Sequence, residues 1–166
     1  APAIAISAIK ALENNEDPIL LVLPADHSIG NIANFIRTIE AGRKYLKNRL
    51  VTFGIVPKSA ETGYGYIKAK DNGVNPNEEG LHIDKFIEKP NKKLAQELIK
   101  DKLFTWNSGM FLFRAKLILE ELNNYFPEII EICQKSIENN SIDLDFQRID
   151  SENFKNCPNI SIDKAV

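Results

Sequence analysis

Glu88 and Lys89 stand side by side between the apolar peptide Phe86-Ile87 and Pro90. A hydrogen-bond acceptor and a cation are thus delivered together where proline ends a strand ladder. Adjacent strand residues face opposite ways, so both serve one ligand only if the strand is already breaking. The plain alternative is a surface ion pair, worth about 0 to 1 kcal/mol. Lys92 and Lys93 follow in the first turn of an expected helix, where cations oppose the helix dipole. A bound phosphate there would offset the mismatch.

Three further peptides carry groups of the right kind. Trp106-Asn107-Ser108-Gly109-Met110-Phe111 sets the chain's single tryptophan beside an amide, a hydroxyl and a glycine, just ahead of an expected buried strand. A sugar ring needs neutral polar groups and an aromatic face together, although a turn anchored by a core tryptophan would use the same residues. Glu61-Thr62-Gly63-Tyr64-Gly65-Tyr66 places two glycines around a tyrosine, so that backbone amides can approach a ligand; a hairpin or bulge needs the same glycines. Asp26, in Pro24-Ala25-Asp26-His27, follows an apolar strand by one tight step, at the rim where a hard cation could be held or where an Asp merely ends the strand. His27, Asp163 in Ser161-Ile162-Asp163 and Cys133 mean little alone, Cys133 reading as core packing. No Gly-x-Gly-x-x-Gly or Gly-x-x-x-x-Gly-Lys pattern supports a dinucleotide or P-loop site.

Bulk properties exclude other classes. With 166 residues, 43% of them hydrophobic, the chain can bury a sizeable core. Lys and Arg number 21 against 23 Asp and Glu, with no basic run, which disfavours nucleic acid. Two cysteines are too few for a disulfide framework or a four-thiolate zinc site. No apolar run approaches the roughly 20 residues of a membrane span, and no signal-peptide layout opens the sequence. A soluble, cytoplasmic protein is expected.

The elements that must position these groups follow from periodicity. Ile4, Ala5, Ala8, Ile9 and Leu12 predict a first helix closed by Asn14-Asn15. Residues 19–23 predict a strand covered on both faces. Asn31 caps a helix striped by Ile32, Phe35, Ile36, Ile39 and Leu46. Strands are expected over 50–56, 64–69 and 81–87, with a polar loop at 71–80 between the last two. A helix capped by Asn91, a short strand over 110–113, a helix around Leu117, Ile118 and Leu122, and one opening at Pro127 with Ile130, Cys133 and Ile137 inward complete the pattern. Alternating strands and helices predict a layered α/β domain with ligands beyond the strand ends.

Taken in order, Pro24-Ala25-Asp26-His27, Phe53-Gly54-Ile55, Glu61 to Ile67, Phe86 to Pro90, Trp106 to Phe111 and Ser161-Ile162-Asp163 resemble the bacterial mannose-1-phosphate guanylyltransferases. Each piece is weak alone; their order and spacing are specific. The resemblance implies a Rossmann-like three-layer nucleotidyltransferase fold with a mixed, mostly parallel central sheet. It implies GTP and mannose 1-phosphate as partners, Mg2+ as cofactor, and GDP-mannose and pyrophosphate as products. A homo-oligomer is compatible with it, as is a following mannose-6-phosphate isomerase domain.

By that resemblance Asp26 helps hold the magnesium and Lys89 contacts the sugar phosphate. Glu88 accepts from mannose hydroxyls, with Tyr64, Gly65 and Asn107 completing the sugar site, and Asp163 lies in a family motif. Residues 1–166 would be the central part of a single domain, because the family's N-terminal glycine-rich loop and a later magnesium-binding Asp have no counterpart here; alone, such a piece should not catalyse. Another hexose-1-phosphate nucleotidylyltransferase, a non-catalytic sugar-nucleotide sensor and a structural domain without a ligand are the competing readings.

Overall fold

The computed structural model describes residues 1–13, 17–71 and 80–166, so Asn14-Asn15 and most of the expected loop at 71–80 lie outside the described residues. The chain divides into two compact units. One comprises Ala1–Val22, Leu46–Leu50 and Phe113–Val166, and the other Leu23–Tyr45 and Val51–Leu112.

The first unit is mainly helical. Helices α1 (Pro2–Ala11), α4 (Ala115–Tyr125) and α5 (Pro127–Glu138) pack on one another. Ala5 and Ala8 are fully buried, so the small side chains of α1 let the helix backbones come close, against a core of Ile118, Leu122, Ile129 and Cys133. The buried face of α5 is Ile129, Cys133, Ser136 and Ile137 rather than Ile130, Cys133 and Ile137. Ser136 is tolerated there because its hydroxyl donates to the Ile132 carbonyl at 2.8 Å. Arg114 offers no side-chain cap to α4, and Asp17 supplies one instead, accepting from the Lys116 N–H at 3.0 Å. Strand β1 (Ile19–Val22) ends one residue early, and Ile19 and Leu21 are 36% and 39% exposed, so the expected cover on both faces is missing among the described residues.

The second unit holds the sheet that matters for chemistry. After α2 (Ile32–Gly42) come β2 (Val51–Ile55), β3 (Tyr66–Ala69), β4 (Ile83–Ile87), α3 (Lys92–Leu98) and β5 (Phe104–Arg114), whose last two residues pass into the first unit. Asn31 and Asn91 cap their helices as expected, each accepting a main-chain N–H at 2.9 Å. The stripe of α2 is less buried than its periodicity implies, with Ile32 at 65% and Ile36 at 54% exposure.

Within this unit β5 lies between β2 and β3, since Trp106 pairs with Ile55 on one side and Tyr66 on the other; β4 extends the sheet beyond β3. All three pairings are antiparallel. The layered α/β class stands, whereas the expected preponderance of parallel pairing is not what this unit contains. Strands β4 and β5, joined through α3, do run the same way, as a crossover requires, but β3 is inserted between them. Beneath the sheet Tyr66, Ala95, Leu98 and Phe104 form a buried cluster, with Ile87, Leu94 and Trp106 against it.

A candidate sugar-phosphate site at one end of the sheet

Register builds the site. Tyr66 of β3 faces Ile87 of β4 and Trp106 of β5, so one step further along the three strands come Gly65, Glu88 and Asn107. The Asn107 N–H donates to the Gly65 carbonyl at 2.8 Å, joining two members of this row. Glu88 closes on the other side. A Cβ built on Gly65 would stand 2.8 Å from Phe86 Cζ and 3.1 Å from Glu88 Oε2, so only glycine allows the carboxylate to lie this close to the β3 backbone. Tyr66 is fully buried and its hydroxyl donates to the Glu61 carbonyl at 2.8 Å, which ties the preceding Glu61 to Gly65 segment to the core.

Lys89 follows Glu88 with φ +42°, a left-handed conformation that non-glycine residues adopt at a cost of roughly 1–3 kcal/mol. The strand has broken by then, and the ammonium swings back to within 3.6 Å of Glu88 Oε1. Acceptor and cation thus share one edge, as the sequence demanded of a working pair. The two side chains are 64% and 36% exposed, so their mutual attraction is small and does not explain the backbone conformation. The next residue, Pro90, is buried, which fixes the chain on the far side of Lys89. Lys92 and Lys93 then occupy the start of α3 as expected.

The tryptophan peptide is not ahead of a strand but inside one. Strand β5 runs through the whole of Trp106 to Phe111, where a short strand over 110–113 was expected. Thr52 and Gly54 of β2 face Phe111 and Asn107, so two steps along β2 oppose four steps along β5: a bulge. Gly109 carries it with φ +68°, which favours glycine. The bulge is laced internally. Asn107 Oδ1 accepts from the Gly109 N–H at 3.2 Å and Ser108 Oγ accepts from the Met110 N–H at 3.2 Å. Trp106 packs against the buried cluster, and its ring meets Tyr64 edge-on at 5.2 Å and 64°. Its indole nitrogen is buried without a partner among the described residues. Tyr64 itself is 49% exposed, which leaves ring surface for a ligand.

Asp26 lies in an exposed turn of the same unit. A Cβ on Gly109 would sit 3.5 Å from Pro24 Cγ, so the loop bearing Asp26 runs beside the bulge. No group of three or more His, Cys, Asp or Glu side chains suited to a metal occurs among the described residues. A single exposed carboxylate does fit magnesium, which keeps water and substrate phosphates as most of its ligands. Asp163 belongs to the other unit, in the short helix Ile162–Ala165. The sequence reading singles out neither Thr52 nor the left-handed conformation at Lys89, and it reads the Ser-Gly step at 108–109 as a turn rather than a bulge.

A carboxylate, an ammonium, a carboxamide and a main-chain carbonyl thus lie along one row beside the ends of β3 and β4. Residues 1–152 match the family described as nucleotidyl transferase, and the chain belongs to that family. Along its whole length it is 44% identical to a mannose-1-phosphate guanylyltransferase of Escherichia coli and 47% identical to that of Salmonella typhimurium, covering 37% and 35% of those proteins. The chain therefore spans about a third of the curated relatives it matches. Among solved structures, one described as mannose-6-phosphate isomerase from Helicobacter pylori superposes with a TM-score of 0.83 at 31% identity, over 99% of this chain and 62% of that one. No described helix is long and apolar enough to cross a membrane.

Proposed function

We propose that the protein carrying this chain is a mannose-1-phosphate guanylyltransferase. The observation that carries the reading is the row Glu88, Gly65 and Asn107 with Lys89 turned back beside it, in a chain whose curated relatives bear that activity in their names. A phosphate oxygen of mannose 1-phosphate attacks the α-phosphorus of GTP in line. The new P–O bond forms as the bond to the bridging oxygen breaks, and pyrophosphate leaves. Such a transfer depends on positioning and charge neutralisation, so no protein nucleophile is needed.

In this scheme Lys89 neutralises the attacking sugar phosphate and Glu88 accepts hydrogen bonds from mannose hydroxyls. Asn107 and the main chain at Gly65 fix the ring, and Tyr64 covers its apolar face. Asp26 would hold Mg2+ together with substrate phosphates, the ion supplying charge neutralisation when bound. Asp163 is proposed, on sequence resemblance alone, as a residue of a family motif. The free thiols of Cys133 and Cys157 suit a reducing cytoplasm.

The test is pyrophosphate release by the full gene product given GTP, Mg2+ and mannose 1-phosphate, with omission of Mg2+ abolishing it. A panel of other hexose 1-phosphates and nucleoside triphosphates reads specificity. Absence of release with every pair would refute the assignment, and binding of GDP-mannose without turnover would mark a sensor instead.

A further inference from the structure

We propose that Thr52, on the neighbouring strand β2, is a positioning residue for the sugar site. The proposal rests on the functional reading above. Thr52 Oγ1 lies 3.0 Å from the Met110 carbonyl and 3.3 Å from Asn107 Oδ1, the two ends of the bulge in β5. A hydroxyl has one proton, so it donates to one of these oxygens at a time, the Met110 carbonyl being the nearer. Asn107 Oδ1 also accepts from the Gly109 N–H, which a carboxamide nitrogen could not do, so it is the oxygen that stands at this place.

This arrangement gives Thr52 a task that its strand position alone does not require. A bulge departs from the regular ladder, and its main-chain groups need partners from elsewhere. Here the partner comes from a side chain on the adjacent strand. It reaches both the carbonyl that closes the bulge and the carboxamide that the site presents to the sugar. Thr52 does not touch the substrate in this scheme. By holding the Met110 carbonyl it fixes the bulge that carries Asn107, whose main-chain N–H is joined to Gly65 at 2.8 Å. Asn107 is then held at its main chain by β3 and at its side-chain oxygen by the Gly109 N–H of the bulge, and Thr52 keeps that bulge in shape from β2.

Thr52→Val keeps the β-branched shape and removes the hydroxyl; Thr52→Ser keeps the hydroxyl and removes the methyl. In the full gene product, Thr52→Val should raise the KM for mannose 1-phosphate about threefold to tenfold, the loss of one hydrogen bond. The KM for GTP should stay within about twofold on the same scale, and Thr52→Ser should restore the wild-type value. Thr52→Ala gives a second, smaller variant should valine misfold, with the same split expected. Equal changes in both KM values, a wild-type KM in the valine and alanine variants, or failure of serine to rescue would each overturn the proposal. If the wild type itself releases no pyrophosphate from mannose 1-phosphate, the functional reading fails first and takes this proposal with it.

Discussion

The main-chain N–H of Asn107 and the carbonyl of Gly65 meet at 2.8 Å across β5 and β3, one residue beyond the Tyr66 and Trp106 pair. This bond joins the two peptides richest in sugar-type groups, and it brings the bulge of one strand against the glycine of the other.

Gly65→Ala should damage both stability and sugar binding. The added methyl would meet the Phe86 ring at 2.8 Å and Glu88 Oε2 at 3.1 Å, so both must move. Overpacking of this kind costs about 1–3 kcal/mol, to be read as a lower urea midpoint. Displacement of Glu88 should raise the KM for mannose 1-phosphate with little change for GTP. An unchanged midpoint would show that Phe86 swings aside freely.

Lys89 offers a separation of strain from charge. At φ +42°, Lys89→Gly relieves the left-handed conformation and Lys89→Ala does not. The glycine variant should be about 1 kcal/mol more stable than the alanine variant in urea denaturation. Both should lose sugar-phosphate affinity alike, because both lack the ammonium. A difference between them in KM rather than in stability would mean that the backbone, not the cation, binds the substrate.

Acid should weaken the second unit partly through Asp101. Its carboxylate accepts from the Leu103 N–H at 3.0 Å and pairs with Lys68 at 3.3 Å, and these interactions, the first above all, hold its pKa below the ordinary 3.8. A lowered carboxyl pKa contributes stability that is complete above the ordinary value and is lost as pH falls through the folded one. Wild type should therefore exceed Asp101→Asn in thermal stability at pH 6, and the gap should narrow below about pH 4. The pair is exposed, so the gap is small. A gap that widens in acid would contradict the assignment.

Much of the site was legible before the structure because its signals are local. Proline after Glu88-Lys89, and asparagine ahead of the two helices, announce strand and helix ends through the hydrogen bonds that each residue can or cannot make. The bulge was not legible for a related reason. Asn, Ser and Gly at 107–109 carry the chemistry of a turn, and a sequence reading has no means of knowing that β2 continues alongside them. Likewise, periodicity placed Phe35 and Ile39 on the partly buried side of α2, whereas Ile32 and Ile36 are exposed and Leu46 falls past the helix end at Gly42, because burial depends on what packs there. The one-residue error on α5 arose because Ser136 takes a buried place by donating to its own helix.

The two thiols should differ sharply in reactivity. Cys133 is fully buried, and burial, aided by the Cys157 sulfur at 3.8 Å, pushes its pKa up to about 12. Thiolate is the reactive form, so at pH 8 Cys133 should resist a disulfide reagent while Cys157, which is half-buried, reacts first. The expected count is one fast thiol per chain in buffer and two in urea. Equal rates in buffer would show that the helical unit opens readily.

The bulge in β5 has a consequence for how such a site can change. It opposes four steps of one strand to two of the other, and both numbers are even. Parity of the strand is therefore conserved across it: Phe104, Ser108, Met110 and Leu112 are all buried, before the irregularity and after it. Deleting or inserting a single residue between Asn107 and Met110 would exchange inside for outside along the rest of the strand. Adding or removing two would not. Changes to this bulge that keep the faces of the strand are thus confined to substitutions and to length changes in pairs.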